Sequence, residues 1–156
     1  LFASIFPTEA TLTCAEEPGY YRAPYPGPGV GVQPDSPGPA PHPSITLDHE
    51  LLMSGGVQQI GQAEWIIYKP RFGSFYKTPL ERHLAESGVN TLVITGSNFP
   101  NCPRATIYEA SERDFRIVAV TDAISLLDEK GIGELQAIGV LCIPSKEALT
   151  LLKTGF

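Results

Sequence analysis

A cysteine that opens a helix directly after a strand has different chemistry from one inside an apolar run. Thr91 to Thr95 (TLVIT) reads as a strand, Gly96 to Asn101 as a turn, and Cys102-Pro103-Arg104 as a helix start. Sulfur at that point lies near the positive end of the helix macrodipole and near first-turn N–H groups, and both favour the nucleophilic thiolate. Lys69 follows a second short apolar run, Glu64 to Tyr68 (EWIIY), and Pro70 after it disfavours continuing that strand inside a sheet. A lysine brought beside the sulfur would stabilise its charge and orient a substrate or leaving group. An inert buried thiol is the ordinary reading of a lone cysteine at an apolar helix start. The strand-to-helix turn is what favours the reactive one.

The surrounding elements decide whether these two residues can meet. Thr78-Pro79-Leu80-Glu81 has the pattern of a capping box, with Thr78 as N-cap, Pro79 at the first helical position and Glu81 at the third, and predicts a helix ending near Gly88. Arg116 to Val120 (RIVAV) reads as another buried strand with Thr121-Asp122-Ala123 at its end. A largely helical stretch over Asp128 to Ile138, a short strand over Val140 to Ile143 and a helix capped by Ser145 complete the chain to Leu152. Strands alternating with helices point to right-handed βαβ units and a parallel sheet. Ligands of such sheets bind beyond the carboxyl ends of the strands. Lys69, the Gly96 to Cys102 turn and Asp122 all fall there.

Three stretches carry a family likeness: Lys69 to Glu81 (KPRFGSFYKTPLE), Thr95 to Thr106 (TGSNFPNCPRAT) and Ala110 to Ala123 (ASERDFRIVAVTDA). Together they resemble the isochorismatase-like cysteine hydrolases, a group that includes nicotinamidase and N-carbamoylsarcosine amidohydrolase. The likeness runs from about Leu47 to Leu152, and the 33 residues between Lys69 and Cys102 (102 minus 69) suit the family's strand, helix, strand, turn unit. The resemblance implies a three-layer α/β/α fold with a mainly parallel, doubly wound sheet. It makes Cys102 the nucleophile and Lys69 the catalytic lysine. It also implies an oxyanion hole at the turn, beside a cis peptide between Ser97 and Asn98. True isochorismatases of the family do not rely on a cysteine here, so Cys102 favours the branch that hydrolyses amides through a thioester.

The pattern departs from the family in one place. The family's third catalytic residue is an aspartate in an Asp-x-Gln context at the end of its first strand, and no Asp-x-Gln occurs in this sequence. Residues 1 to 6 (LFASIF) look like the family's second strand, so the first strand is expected to be missing from a sheet of order 3-2-1-4-5-6, where it would be central. A fragment of a longer product, another segment filling the gap, or a degenerate member would each account for that. Asp35 and Asp48 lie in or beside a loop segment and are assigned no role. Asp122 could touch substrate or cap a following helix. Phe72, Phe75 and Phe99 flank the catalytic segments and are candidate walls of a substrate pocket, or simply core. His42 and His49 follow no compact ligand spacing and His83 lies within the predicted helix 78 to 88, so no metal is expected; no cofactor is expected either.

Composition narrows the partners. At 156 residues the chain fits one domain. A net charge of -6 argues against a broad surface for nucleic acid or anionic lipid. No apolar run is long enough to span a bilayer. Cys14, Cys102 and Cys142 form neither a disulfide framework nor a metal motif, which makes a reducing, cytoplasmic setting the default. Nine of the fifteen prolines lie between Pro18 and Pro43, so residues 1–44 read as a strand plus a Pro/Gly-rich loop and residues 45–156 as the hydrolase core. The expectation is a cysteine hydrolase that cleaves an amide or ureido bond of a small molecule, assembled as a homo-oligomer. The alternative is a catalytically impaired remnant serving as an interaction or oligomerisation module.

Overall fold

The computed structural model describes residues 2–6, 9–14 and 46–154. The Pro/Gly-rich segment, the boundary expected at residues 44 and 45, Asp35 and His42 lie outside them. The chain runs β1 (Phe2–Phe6), β2 (Glu9–Cys14), α1 (His49–Met53), β3 (Val57–Gly61), β4 (Glu64–Ile67), α2 (Leu80–Glu86) and β5 (Thr91–Gly96). It continues through α3 (Cys102–Ser111), β6 (Arg116–Ile124), α4 (Glu129–Ala137), β7 (Leu141–Ile143) and α5 (Ser145–Thr154). The described strands make one sheet of order β3-β4-β1-β2-β5-β6-β7.

That sheet is mixed, and its two halves differ for a connective reason. From β5 to β7 each pair is parallel, as the helical crossovers α3 and α4 require. β3 and β4 are joined by only Gln62 and Ala63, a connection too short for anything but an antiparallel pair. β1 pairs antiparallel with both β4 and β2, while β2 runs parallel to β5 from Glu9 opposite Thr91 to Cys14 opposite Gly96. The gap expected beside β5 is therefore filled by another segment, β2, and the ladder of β5 is satisfied on both sides. β4 runs in the same direction as β2, β5 and β6. Lys69 and the turn after Gly96 therefore leave the sheet at one edge.

Alternation along the central strands builds the layers. In β5, Leu92 and Ile94 enter one core cluster while Val93 enters another; in β6, Ile117 and Ala119 divide from Val118 and Val120 in the same way. The larger cluster is closed by Leu80 and Leu84 of α2, Ile107 and Ala110 of α3 and Leu135 of α4. The smaller is covered by Ala148, Leu151 and Leu152 of α5. Helices thus cover both faces of the sheet, the three-layer, doubly wound α/β arrangement that the family resemblance implied.

Two local expectations are corrected. Pro79 is the N-cap of α2 rather than its first helical residue, and Glu81 does not complete a capping box because its carboxylate pairs with Arg113 Nε at 2.9 Å. Thr78 still serves the helix start, its Oγ1 accepting the Leu80 N–H at 3.3 Å. β6 extends to Ile124, so Asp122 lies within the strand and not after it.

Candidate active site

The turn that carries Cys102 is stitched to the end of β6. Ser125 N–H donates to Gly96 O at 3.0 Å and Ser125 O accepts from Phe99 N–H at 2.8 Å. Asn101 N–H closes the turn on Asn98 O at 3.0 Å. Gly96 sits at φ 135°, open to glycine and strained for other residues, and the Ser97-Asn98 peptide is cis. The Phe99 ring lies on Gly131 of α4, where any Cβ would overlap it. These contacts deliver Cys102 as the first residue of α3, with Pro103 behind it and the sulfur buried.

Lys69 reaches the same point from β4. Its ammonium donates to Arg71 O at 2.9 Å, to Phe72 O at 3.0 Å and to Cys102 Sγ at 3.3 Å. An ammonium has three N–H donors and no acceptor. Two go to backbone carbonyls, which leaves the third for sulfur.

The other expected residues are distributed unevenly. Phe75 and Phe99 belong to the larger core cluster, whereas Phe72 remains 48 % exposed. Asp122 turns to α5: Oδ1 accepts Ser145 N–H at 2.7 Å and Oδ2 accepts Ser145 Oγ–H at 2.8 Å. Those bonds, the side-chain one first, hold its carboxyl below the usual range. Asp48 caps α1 through Leu51 N–H at 2.9 Å. Among the described residues no group of three His, Cys, Asp or Glu side chains could hold a metal ion, and no helix is long and apolar enough to cross a membrane. An open cleft of about 420 Å³ includes Thr91, Arg116 and Leu141, at the amino ends of β5, β6 and β7 and thus at the opposite edge from Cys102.

The model of the isochorismatase domain matches residues 32–142, more than two thirds of the chain. The chain belongs to the isochorismatase family. Among its relatives, a probable inactive nicotinamidase from Arabidopsis thaliana is 37 % identical across 81 aligned positions, covering 45 % of this chain and 41 % of that protein. A ureidoacrylate amidohydrolase from Methylorubrum extorquens is 34 % identical over 58 positions, covering 37 % of this chain and 23 % of the relative. An isochorismatase family protein from Desulfovibrio vulgaris aligns with a TM-score of 0.49 and 37 % identity, over 55 % of this chain and 45 % of that one. The N-carbamoylsarcosine amidase of Thermoplasma acidophilum aligns at 0.47 and 29 %, over 49 % and 46 %. The alignments span less than half the length of each of these relatives.

Sequence reasoning missed the residues that hold the Cys102–Lys69 arrangement together: Ser125, and the group formed by Gly73, Ser74, Thr106 and Glu109. Ser125 acts through its backbone and leaves no signal in residue type. The others do leave one, since Thr106 and Glu109 stand four and seven residues after Cys102 and so share its face of α3.

Proposed function

We propose that the chain is a cysteine amidohydrolase for a small amide or ureido compound, with Cys102 as nucleophile and Lys69 as the cation that keeps it ionised. The observation that carries this reading is the Lys69 ammonium 3.3 Å from Cys102 Sγ, with its two other donors on carbonyls. The relative named a ureidoacrylate amidohydrolase supports the substrate class.

In this mechanism the thiolate adds to the substrate carbonyl, forming a C–S bond and placing the π electrons on oxygen. Backbone N–H groups of the Ser97 to Cys102 turn receive that oxyanion, a contribution of about 2.7 to 4 kcal/mol per donor in a comparable case. The intermediate collapses, the C–N bond breaks, and the nitrogen leaves as ammonia or an amine with a proton from water. The hydroxide so formed adds to the thioester, the C–S bond breaks, and a carboxylic acid departs as the thiolate is restored. Phe72, half exposed and with its carbonyl on the Lys69 ammonium, is a candidate wall of the substrate pocket.

One observation favours a second reading, a catalytically impaired family member serving as an interaction or oligomerisation module: one relative is itself named probable inactive. Ammonia release from a panel of small carboxamides and ureido acids separates the two. The hydrolase reading expects turnover that Cys102→Ala abolishes, together with a thioester adduct in intact-mass spectra. No release and no adduct from any member of the panel would leave the second reading.

A further inference from the structure

The direction of the Lys69 ammonium is set by a loop, and that loop is held by the helix that begins with Cys102. Arg71 O and Phe72 O take two of the three ammonium donors. The chain then passes through Gly73, Ser74 and Phe75 along the face of α3 that carries Thr106 and Glu109. Ser74 Oγ and Thr106 Oγ1 lie 2.9 Å apart and both residues are buried. Glu109 Oε2 accepts the Phe75 N–H at 2.9 Å. Any Cβ on Gly73 would overlap the Glu109 carboxylate, so the backbone lies directly against that side chain. Arg113, a turn further on, donates to Glu109 O at 2.8 Å and lies over the Phe75 ring at 4.9 Å. A closed circuit results: Cys102 to Lys69, to the 71–72 carbonyls, along residues 73–75, and back through Thr106 and Glu109 to the helix of Cys102.

We propose that Glu109 is a positioning residue for the Cys102–Lys69 pair, its carboxylate locking residues 71–75 onto α3 so that the third ammonium N–H points at sulfur. This rests on the reading of Cys102 as an ionised nucleophile. Charge alone makes the opposite prediction. Glu109 is seven residues along the helix from Cys102, about 10 Å, and removing a negative charge there favours the thiolate. Loss of positioning disfavours it. The sign of the shift therefore separates the two effects.

The experiment is an NMR titration of Cβ-labelled cysteine in the full chain, which reports thiol protonation whether or not sulfur is accessible. Glu109→Ala is expected to raise the Cys102 midpoint by about one unit, a tenfold loss of thiolate below it. Glu109→Gln keeps an acceptor for Phe75 N–H without the charge, and is expected to hold the midpoint at or slightly below its starting value. Gly73→Ala displaces the Glu109 side chain from the loop and is expected to shift the midpoint as Glu109→Ala does, which keeps the test open if that variant does not fold. An unchanged or lowered midpoint in Glu109→Ala or Gly73→Ala, while Lys69→Met raises it, overturns the positioning role and leaves the Cys102–Lys69 reading standing. An ordinary thiol midpoint in the unsubstituted chain overturns both.

Discussion

At the end of β4, Lys69 turns inward and places its ammonium 3.3 Å from the buried sulfur of Cys102. Near the end of β6, Asp122 turns outward and takes the backbone N–H and hydroxyl of Ser145 at 2.7 and 2.8 Å. Both residues stand at the same edge of the sheet, and both were legible in the sequence as polar groups at strand ends. The parallel architecture explains only that shared placement. What differs is the partner. Lys69 meets a sulfur withdrawn from water, where a charge has strong leverage. Asp122 is exposed and satisfies the first turn of α5, as any capping carboxylate does. Strand-end position marks candidates, and convergence on a buried sulfur separates a candidate site from a cap.

Removing the sulfur tests the inward side most severely. Cys102→Ala should cut ammonia release by roughly 10³-fold or more, as loss of a covalent nucleophile does. Lys69→Met comes next. With the ammonium gone, the Cys102 midpoint should rise, read by the same labelled-cysteine titration. Asp122→Ala should leave that midpoint where it was and lower Tm by a few degrees, as loss of one helix cap does. Because hydrogen bonds from Ser145 depress the Asp122 pKa, its stabilising contribution is present above the ordinary value of 3.8 and is lost as pH falls through the folded value. The Tm gap between the unsubstituted chain and Asp122→Ala should therefore close in acid. If Asp122→Ala moved the Cys102 titration instead, the contrast between site and cap would collapse.

The sequence made the parallel half of the sheet readable because β5 and β6 are β-branched, nearly continuous apolar runs, and because Pro103 and Ser145 mark helix starts locally. β3 was not readable: Gln58 and Gln59 break its apolar character, and its structure comes from pairing with β4. β2 escaped for a similar reason, since its place beside β5 is fixed by a partner about eighty residues away in the chain. The Thr78 to Glu81 stretch showed the opposite failure. Its local pattern was sound, but Arg113 took the Glu81 carboxylate from 32 residues away. Lys69 and Cys102 were visible because each ends or begins an element. Glu109 was less visible: its spacing puts it on the Cys102 face of α3, but a glutamate on a helix ordinarily faces water, and the contact with Phe75 N–H is what shows its other role.

His83 extends the contrast to a group that neither ligates nor caps. It lies on α2 against Trp65, the ring centroids 5.1 Å apart, and its Nε2 is buried without a hydrogen-bond partner among the described residues. Burial pushes its pKa below the ordinary 6.5, and Glu86 only partly opposes that. The unfolded chain then binds the proton more readily, so stability falls as pH drops through 6.5 toward the folded value and levels off below it. His83→Phe keeps a ring against Trp65 and has no proton to bind. Urea titrations from pH 7.5 to 5 should show the unsubstituted chain losing stability while His83→Phe changes less over the same interval. Equal slopes would mean that His83 titrates as it does in the unfolded chain, and that its burial has no electrostatic consequence.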